Sequence, residues 1–289
     1  MDNFNTLVSG GFADEDLVND GWTEIIRNLA SMVNFKGQGR LSPAEIAEKM
    51  ELADFQKMEQ IRARAEELVN DPNTAESLKP YYRQFCKRPC FNDEYLPAFN
   101  RPNVHLIDTD GKGIDEITES GIVANGAAFE LDCIIFATGF EVGTHYTRRS
   151  GHDLIGRNAV SLTEKWSNGI STLHGLQTRG FPNCFIIHTA QAGFTVSFPH
   201  AMNEQAKHIA YILGEGKKAN ASVVEVTQEA EDAWVQEIIA KSRLSESFQA
   251  ECTPGYYNNE GQPNPISVQN GAYGAGPSKF FKVIEAWRE

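Results

Sequence analysis

The sequence predicts an α/β protein, and three features of its 289 residues predict it. Apolar side chains recur at near-helical spacing through the first 80 residues. Short runs broken by turn residues follow from about residue 103. Two apolar runs without alternation, Cys133-Ile-Ile-Phe-Ala137 and Asn183-Cys-Phe-Ile-Ile187, then read as strands buried on both faces under helices.

The helical part starts most clearly at Ser42-Pro43-Ala44-Glu45, a capping box with proline at the first helical position. Ile46, Met50, Leu52, Phe55, Met58, Ile61 and Leu68 continue it, and Asn70-Asp71-Pro72-Asn73 ends it. Thr74 is the expected cap of a short helix running toward Pro80, because its hydroxyl can accept orphan first-turn amide hydrogens. Val104–Ile107, Ile114–Thr118, Gly121–Ala124 and Ala128–Leu131 are separated by Asp-Gly, Ser-Gly and Asn-Gly, so they suggest an antiparallel hairpin region. Helices are expected over Phe198–Leu213 and Ala230–Lys241, and a polar, glycine-rich tail opens at Tyr256 and closes with Phe280–Trp287. No internal repeat is found.

Composition excludes several classes. Hydrophobic residues at 41% and charged residues at 22% are ordinary for a globular protein, and no stretch approaches the roughly 18 apolar residues that cross a bilayer. The formal charge of −13 repels nucleic acid phosphates, and Lys and Arg form no run longer than a pair. The acidic N-terminal stretch lacks a basic region followed by an apolar core, so the expectation is a cytoplasmic protein. Five scattered cysteines argue against a disulfide framework and for a reducing compartment, and the Cys86 and Cys90 pair lacks a companion pair for zinc. Scattered Ser, His and Asp establish no nucleophilic triad.

The apolar run at 133–137 stops at Thr138-Gly139-Phe140, an ATG[FY] ending typical of two-dinucleotide flavoproteins, in which the backbone passes close to the flavin nucleotide. Glycine permits such an approach because it has no Cβ, and ligands gather beyond the carboxyl ends of strands in open sheets. Lys87-Arg88-Pro89, Tyr95, Phe99-Asn100-Arg101, Asn103-Val-His-Leu106, Glu164-Lys-Trp166, Gly175-Leu176, Phe181-Pro-Asn183 and Cys252-Thr-Pro-Gly-Tyr-Tyr-Asn-Asn-Glu-Gly261 surround it in a specific order. In that order and spacing the chain resembles the C-terminal half of the Baeyer–Villiger monooxygenases. The fold implied is the C-terminal portion of a two-dinucleotide-binding-domain flavoprotein with an N-terminal helical segment. Residues 1–84 resemble the helical insertion of the NADP-binding domain, and 85–215 the C-terminal part of the NADP/FAD-binding region with its ATGF strand. Residues 216–289 supply a helix and the Tyr/Asn/Gly-rich tail.

The resemblance implies a catalytic role for Arg88, whose permanent guanidinium charge can hold an oxygen-bearing anion and the nicotinamide carboxamide without losing a proton. Lys87 would meet the 2′-phosphate of NADPH, and Thr138, Gly139 and Phe140 would border FAD. The implied reaction inserts one oxygen atom from O₂ beside a ketone carbonyl, giving an ester or lactone, with Phe194, Phe198 and Trp166 as apolar candidates for the substrate side. Related flavin enzymes oxidise nitrogen or sulfur instead, and the Lys87-Arg88 match favours the ketone.

The chain also departs from the family. Neither G-x-G-x-x-G loop is present, nor the F-x-G-x-x-x-H-x-x-x-W sequence between them, and Gly274-Ala-Gly276 is followed by Pro277 and lacks a third glycine. The expectation is a chain that starts late and is completed by a second polypeptide or works as a homodimer, with a non-catalytic scaffold as the alternative. Unpaired sheet edges and exposed apolar surface should follow. His188-Thr-Ala-Gln-Ala192 replaces the Gly-Pro that often follows the late strand near the flavin, so this loop should make contacts of its own, with His188 either an acid–base group or a packed side chain.

Overall fold

A computed structural model describes residues 1–9, 11–33, 42–139, 145–242, 246–262 and 264–289. They divide into two compact units, Met1–Met50 with Gly143–Glu289, and Glu51–Val142. Along the chain come helices α1 (Asp2–Val8), α2 (Gly21–Val33), α3 (Pro43–Leu68), α4 (Pro72–Ser77) and α5 (Tyr95–Ala98), then strands β1 (Glu116–Thr118), β2 (Gly121–Ala124) and β3 (Ala127–Glu130). Helices α6 (Tyr146–Ser150), α7 (Leu162–Lys165), α8 (Phe198–Lys218), α9 (Gln228–Lys241), α10 (Glu246–Glu251) and α11 (Pro277–Arg288) complete it.

In the larger unit α1 packs on α2 and α11, and α11 on α8. Its core is an aromatic and aliphatic cluster in which α9 contributes Trp234 and Ile238 and α11 contributes Phe280 and Ile284, each pair one helical turn apart. Tyr273 and Ala192 reach the same cluster from loops, and Tyr273 stacks on Trp234 with ring centroids 5.4 Å apart. Fully burying one such large side chain stabilises the fold by roughly 1.5–3 kcal/mol. Capping is local: Asp20 and Thr23 exchange side-chain hydrogen bonds with each other's backbone N–H at the start of α2, at 2.9 and 3.0 Å.

The Ser42 capping box is present, with the Ser42 N–H donating to Glu45 Oε2 at 2.7 Å and the Glu45 N–H to Ser42 Oγ at 3.3 Å. In the smaller unit Ala53, Met58 and Ala65 of α3 are buried together with Val69, Ala75 and Ala124. The cap of α4 differs from expectation. Asp71 accepts from the Thr74 N–H at 2.8 Å with Pro72 in the first turn, so Thr74 is the capped residue. A carboxylate three residues ahead of the amide reaches it with better charge complementarity than a hydroxyl inside the helix.

Strands β1, β2 and β3 form an antiparallel meander in which Ile117 faces Ile122 and Ile122 faces Phe129. Its second turn is Asn125-Gly126 with φ of +50° and +73°, the left-handed pair that a two-residue hairpin needs. The expected strand at Val104–Ile107 is absent.

The larger correction concerns the ATGF strand. Residues 133–137 carry no sheet pairing, Ile135 is 84% exposed and Phe136 68% exposed, and residues 183–187 are likewise unpaired. A strand of a parallel sheet exists only with neighbours bonded along it, and among the described residues neither run joins a ladder; the later one makes single backbone bonds, Asn183 N–H to the Val224 carbonyl at 2.9 Å and Ile186 N–H to the Leu176 carbonyl at 2.8 Å. The expected exposed apolar surface is therefore present.

Among the described residues no helix is long and apolar enough to cross a membrane. Cys90, Cys133 and Cys184 are free thiols.

Candidate functional site

Lys87 and Arg88 follow a turn whose shape is imposed from α3. Asp54, 4% exposed, accepts the Gln84 N–H at 2.7 Å on one carboxylate oxygen and Arg83 Nε at 2.9 Å on the other. Bonds to an ionised acceptor are among the strong ones. They hold a backbone in which Phe85 sits at φ +64°, a left-handed conformation costing a non-glycine residue roughly 1–2 kcal/mol. The Cys86 N–H donates to the Arg83 carbonyl at 3.1 Å and closes the turn. Lys87 emerges half-buried and Arg88 exposed.

The motif residues after this pair are structural. Asn92 Oδ1 accepts the N–H groups of Glu94 and Tyr95 at 2.8 and 2.7 Å, which starts α5. Tyr95 and Phe99 meet edge to face at 5.3 Å. Asn100 closes α3 in both directions, donating to the Leu68 carbonyl and accepting from the Asn70 N–H at 2.7 and 2.8 Å. Its amide thus satisfies one of the orphan carbonyls of the last helical turn.

Thr138 and Gly139 belong to the same compact unit as Lys87 and Arg88, and both are exposed at the end of the unpaired run. Gly139 has φ +103°, and a Cβ built on it would meet nothing within 4 Å. The backbone there is open to close approach. Phe140 lies outside the described residues.

The other unit holds the remaining candidates. Phe194 and Phe198 are 45% and 42% exposed, while Trp166 is half-buried and donates Nε1 to the Ser171 carbonyl at 3.1 Å. His188 packs on Trp166 with ring centroids 6.1 Å apart. Burial pushes its pKa down to about 4 against a smaller upward effect of its bond with the Gly175 backbone, so the ring is neutral near pH 7. His188 is a packed side chain here. His174 and His208 form a buried pair, Nδ1 to Nε2 at 3.2 Å, between Trp234 and Trp287. Burial and the His208 ring lower His174 to about 3, and burial with Arg288 lowers His208 to about 4. No three His, Cys, Asp or Glu side chains gather to hold a metal ion among the described residues.

The loop that replaces Gly-Pro is organised by Gln191, fully buried at φ +56°. Its Oε1 accepts from the Thr172 N–H at 3.0 Å and Thr172 Oγ1 at 2.6 Å, and its Nε2 donates to the carbonyls of Ile170 at 2.6 Å and Gln269 at 3.0 Å. Its backbone N–H donates to the Gly271 carbonyl at 2.7 Å, and its carbonyl accepts Trp234 Nε1 at 3.0 Å.

Known proteins are similar to this chain over its whole length. No family model matches the chain. Neopentalenolactone D synthase of Streptomyces avermitilis is 47% identical over 291 residues, covering 100% of this chain and 49% of that protein. A Baeyer–Villiger monooxygenase of Streptomyces coelicolor is 43% identical over 291 residues, covering 100% and 47%. The structure of a polycyclic ketone monooxygenase from Thermothelomyces thermophila superposes with a TM-score of 0.85 at 34% identity, over 99% of this chain and 47% of that one.

Over its whole length the chain is similar to part of proteins named as Baeyer–Villiger monooxygenases. It spans about half the length of the curated relatives it matches, and by its motifs corresponds to their C-terminal half. The OTEMO structure in complex with FAD and NADP gives a TM-score of 0.63 at 29% identity, over 82% of this chain and 43% of that one.

Sequence reasoning named the Lys87-Arg88 pair as a candidate and gave no sign of Asp54, which lies 29 residues ahead of Arg83 and carries no pattern of its own. Gln191 had a signal, the loss of the family's Gly-Pro, although its partners at 170–172 and 269–271 were not legible.

Proposed function

We propose that the chain supplies the C-terminal half of a flavin-dependent monooxygenase that inserts one oxygen atom beside a ketone carbonyl and releases an ester or lactone. The other half, with the glycine-rich loops, is joined to it or is a second polypeptide. The observation that carries this reading is the Lys87-Arg88 turn, held by buried Asp54 so that Arg88 stands exposed.

The residues present fit FAD and NADPH. Gly139 leaves open space where a side chain would block a nucleotide, and Thr138 is exposed beside it. Two adjacent cationic side chains suit phosphate and a developing oxyanion. When bound, NADPH supplies the hydride and the flavin carries the oxygen to be transferred. The role of Lys87 is then to hold the 2′-phosphate as a compact charge, and that of Arg88 to hold the carboxamide and the anionic oxygen by a planar, permanently protonated fork. Exposed Phe194 and Phe198 offer apolar surface to a polycyclic ketone, the substrate class suggested by the name of the structural neighbour.

The first test is flavin absorbance retained after desalting, for the chain alone and mixed with the N-terminal half of a relative. Retention in the mixture with ketone-dependent NADPH consumption supports the proposal, and no flavin in either case favours the scaffold alternative. Arg88→Ala in the mixture should lower ketone oxidation by about 10²–10³-fold, the usual loss for one oxyanion donor, with FAD retained.

A further inference from the structure

We propose that Gln191 is a positioning residue that clasps the segment Gln269–Tyr273 onto the loop His188–Gly193, so that the distal C-terminal segment sets the shape of the loop the family carries near its flavin. The flavin part of this proposal rests on the function proposed above.

The clasp is built from both ends. Ile170 is held by two residues of the distal segment: its N–H donates to Asn270 Oδ1 at 2.7 Å, and its carbonyl accepts Gln269 Nε2 at 2.8 Å. Gln191 Nε2 then bridges the Ile170 and Gln269 carbonyls. On the backbone, the Gln191 N–H reaches the Gly271 carbonyl, and the Tyr273 N–H donates to the Ala192 carbonyl at 2.9 Å. Tyr273 itself is fixed by stacking on Trp234 and by its hydroxyl, which donates to Glu237 Oε1 at 3.1 Å.

A glutamine is the side chain this place requires. It must accept from Thr172 with one end and donate two hydrogen bonds with the other, which glutamate cannot do and a Gly-Pro dipeptide cannot do at all. All these groups are buried or partly buried, so each bond lost leaves an unsatisfied partner. Gln191 also holds φ +56°, a conformation the surrounding bonds must enforce in a non-glycine residue. The loop is thereby locked by residues about 80 positions away. The residues that flank the loop, Ile187 and Phe194, are exposed apolar side chains.

The test has two arms. In the chain as isolated, amide exchange is followed at Thr172, Gln191 and Tyr273, together with the Trp234 indole N–H. Gln191→Met should raise exchange at all four by at least about tenfold, and Asn270→Ala, which leaves Gln191 intact, should raise it at Gln191 and Tyr273. A rise confined to Thr172 in Gln191→Met, or none at Gln191 in Asn270→Ala, overturns the clasp. In the flavin-loaded mixture, Asn270→Ala should shift the flavin absorbance maxima and weaken FAD retention by about tenfold, effects that a purely local structural role would not produce. An unchanged flavin spectrum and retention would overturn the positioning role. If the unsubstituted mixture takes no FAD, the proposed function and the positioning role fall together, while the exchange arm still decides the clasp.

Discussion

Residues 116–130 and residues 133–137 adjoin in sequence and are both rich in strand-forming side chains, yet only the first forms a sheet. The meander β1–β3 finds its partners within 15 residues, through turns its own sequence encodes. Asn125-Gly126 supplies the left-handed pair, Asp115 Oδ2 accepts the Gly126 N–H at 2.9 Å, and Asn125 Nδ2 donates to the Asp108 carbonyl at 2.8 Å. The apolar run at 133–137 has no turn that folds a neighbour back on it, and it stays unpaired and exposed. The meander buries little, and hydrogen bonding and turn geometry hold it. The apolar run has the burial potential and lacks the partner. Hydrophobic pattern alone therefore does not make a strand, because pairing has to be closed somewhere along the chain or by another surface.

The largest effect expected from this contrast follows from charging the run. Ile135→Asp combined with Phe136→Asp should change the stability of the isolated chain by no more than about 0.5 kcal/mol, since both positions face solvent. The same pair should weaken association with the N-terminal half of a relative by at least about a hundredfold, or ~2.7 kcal/mol. Titration calorimetry checks this, and unchanged affinity would show that the run is not part of the docking surface.

A second expectation separates the two units by pH. The unfolded chain protonates its histidines near 6.5, whereas folded His174 protonates at about 3 and folded His188 and His208 at about 4. These pKa values are lowered by folding, so their stabilisation is complete above about pH 6.5. It is lost as pH falls toward 4, at ~1.4 kcal/mol per pH unit for each histidine. The fluorescence of Trp234 and Trp287, which flank His174, should report unfolding of their unit over that range. Exchange protection of β1–β3, where no histidine lies, should persist to lower pH; loss of both together would merge the two regions into one cooperative body.

The smallest effect is expected in the meander. Gly126→Val, at φ +73°, should cost roughly 1–2 kcal/mol and raise exchange across the Ile122 and Phe129 pair, leaving association with the other half unchanged. Equal loosening of the whole protein in thermal melts would contradict the local origin of its pairing.

Much of the local structure was legible. The capping box at Ser42, the end of α3 near Asn70, the three short strands and helices α8 and α9 lie close to where periodicity and turn residues placed them, whereas α11 forms in what the sequence reads as the close of a tail. The candidate Lys87-Arg88 pair was legible through its motif, and the ordered Tyr95, Phe99 and Asn100 after it prove to be helix-end and packing residues that shape the same region. Asp54 and Gln191 were not legible as anchors, because each acts on backbone far away in sequence and neither sits in a recurring pattern. His188 was legible only as a choice between two roles. Its burial lowers the pKa, and the Trp166 ring it packs on and the Gly175 backbone that partly offsets the shift are both brought to it by folding.

The sequence by itself determined the family resemblance, the Ser42 helix start, the hairpin turns and the presence of a cationic pair, because each is written in residues within a few positions of one another, where propensity, capping and backbone sterics act directly. Only the tertiary structure decided that the two apolar runs remain unpaired, that Asp54 fixes the turn before Arg88, and that Gln191 fastens the distal segment to the loop at 188–193. Those outcomes depend on which buried donors and acceptors meet across tens of residues, and a buried polar group must find its partner wherever the chain happens to bring one.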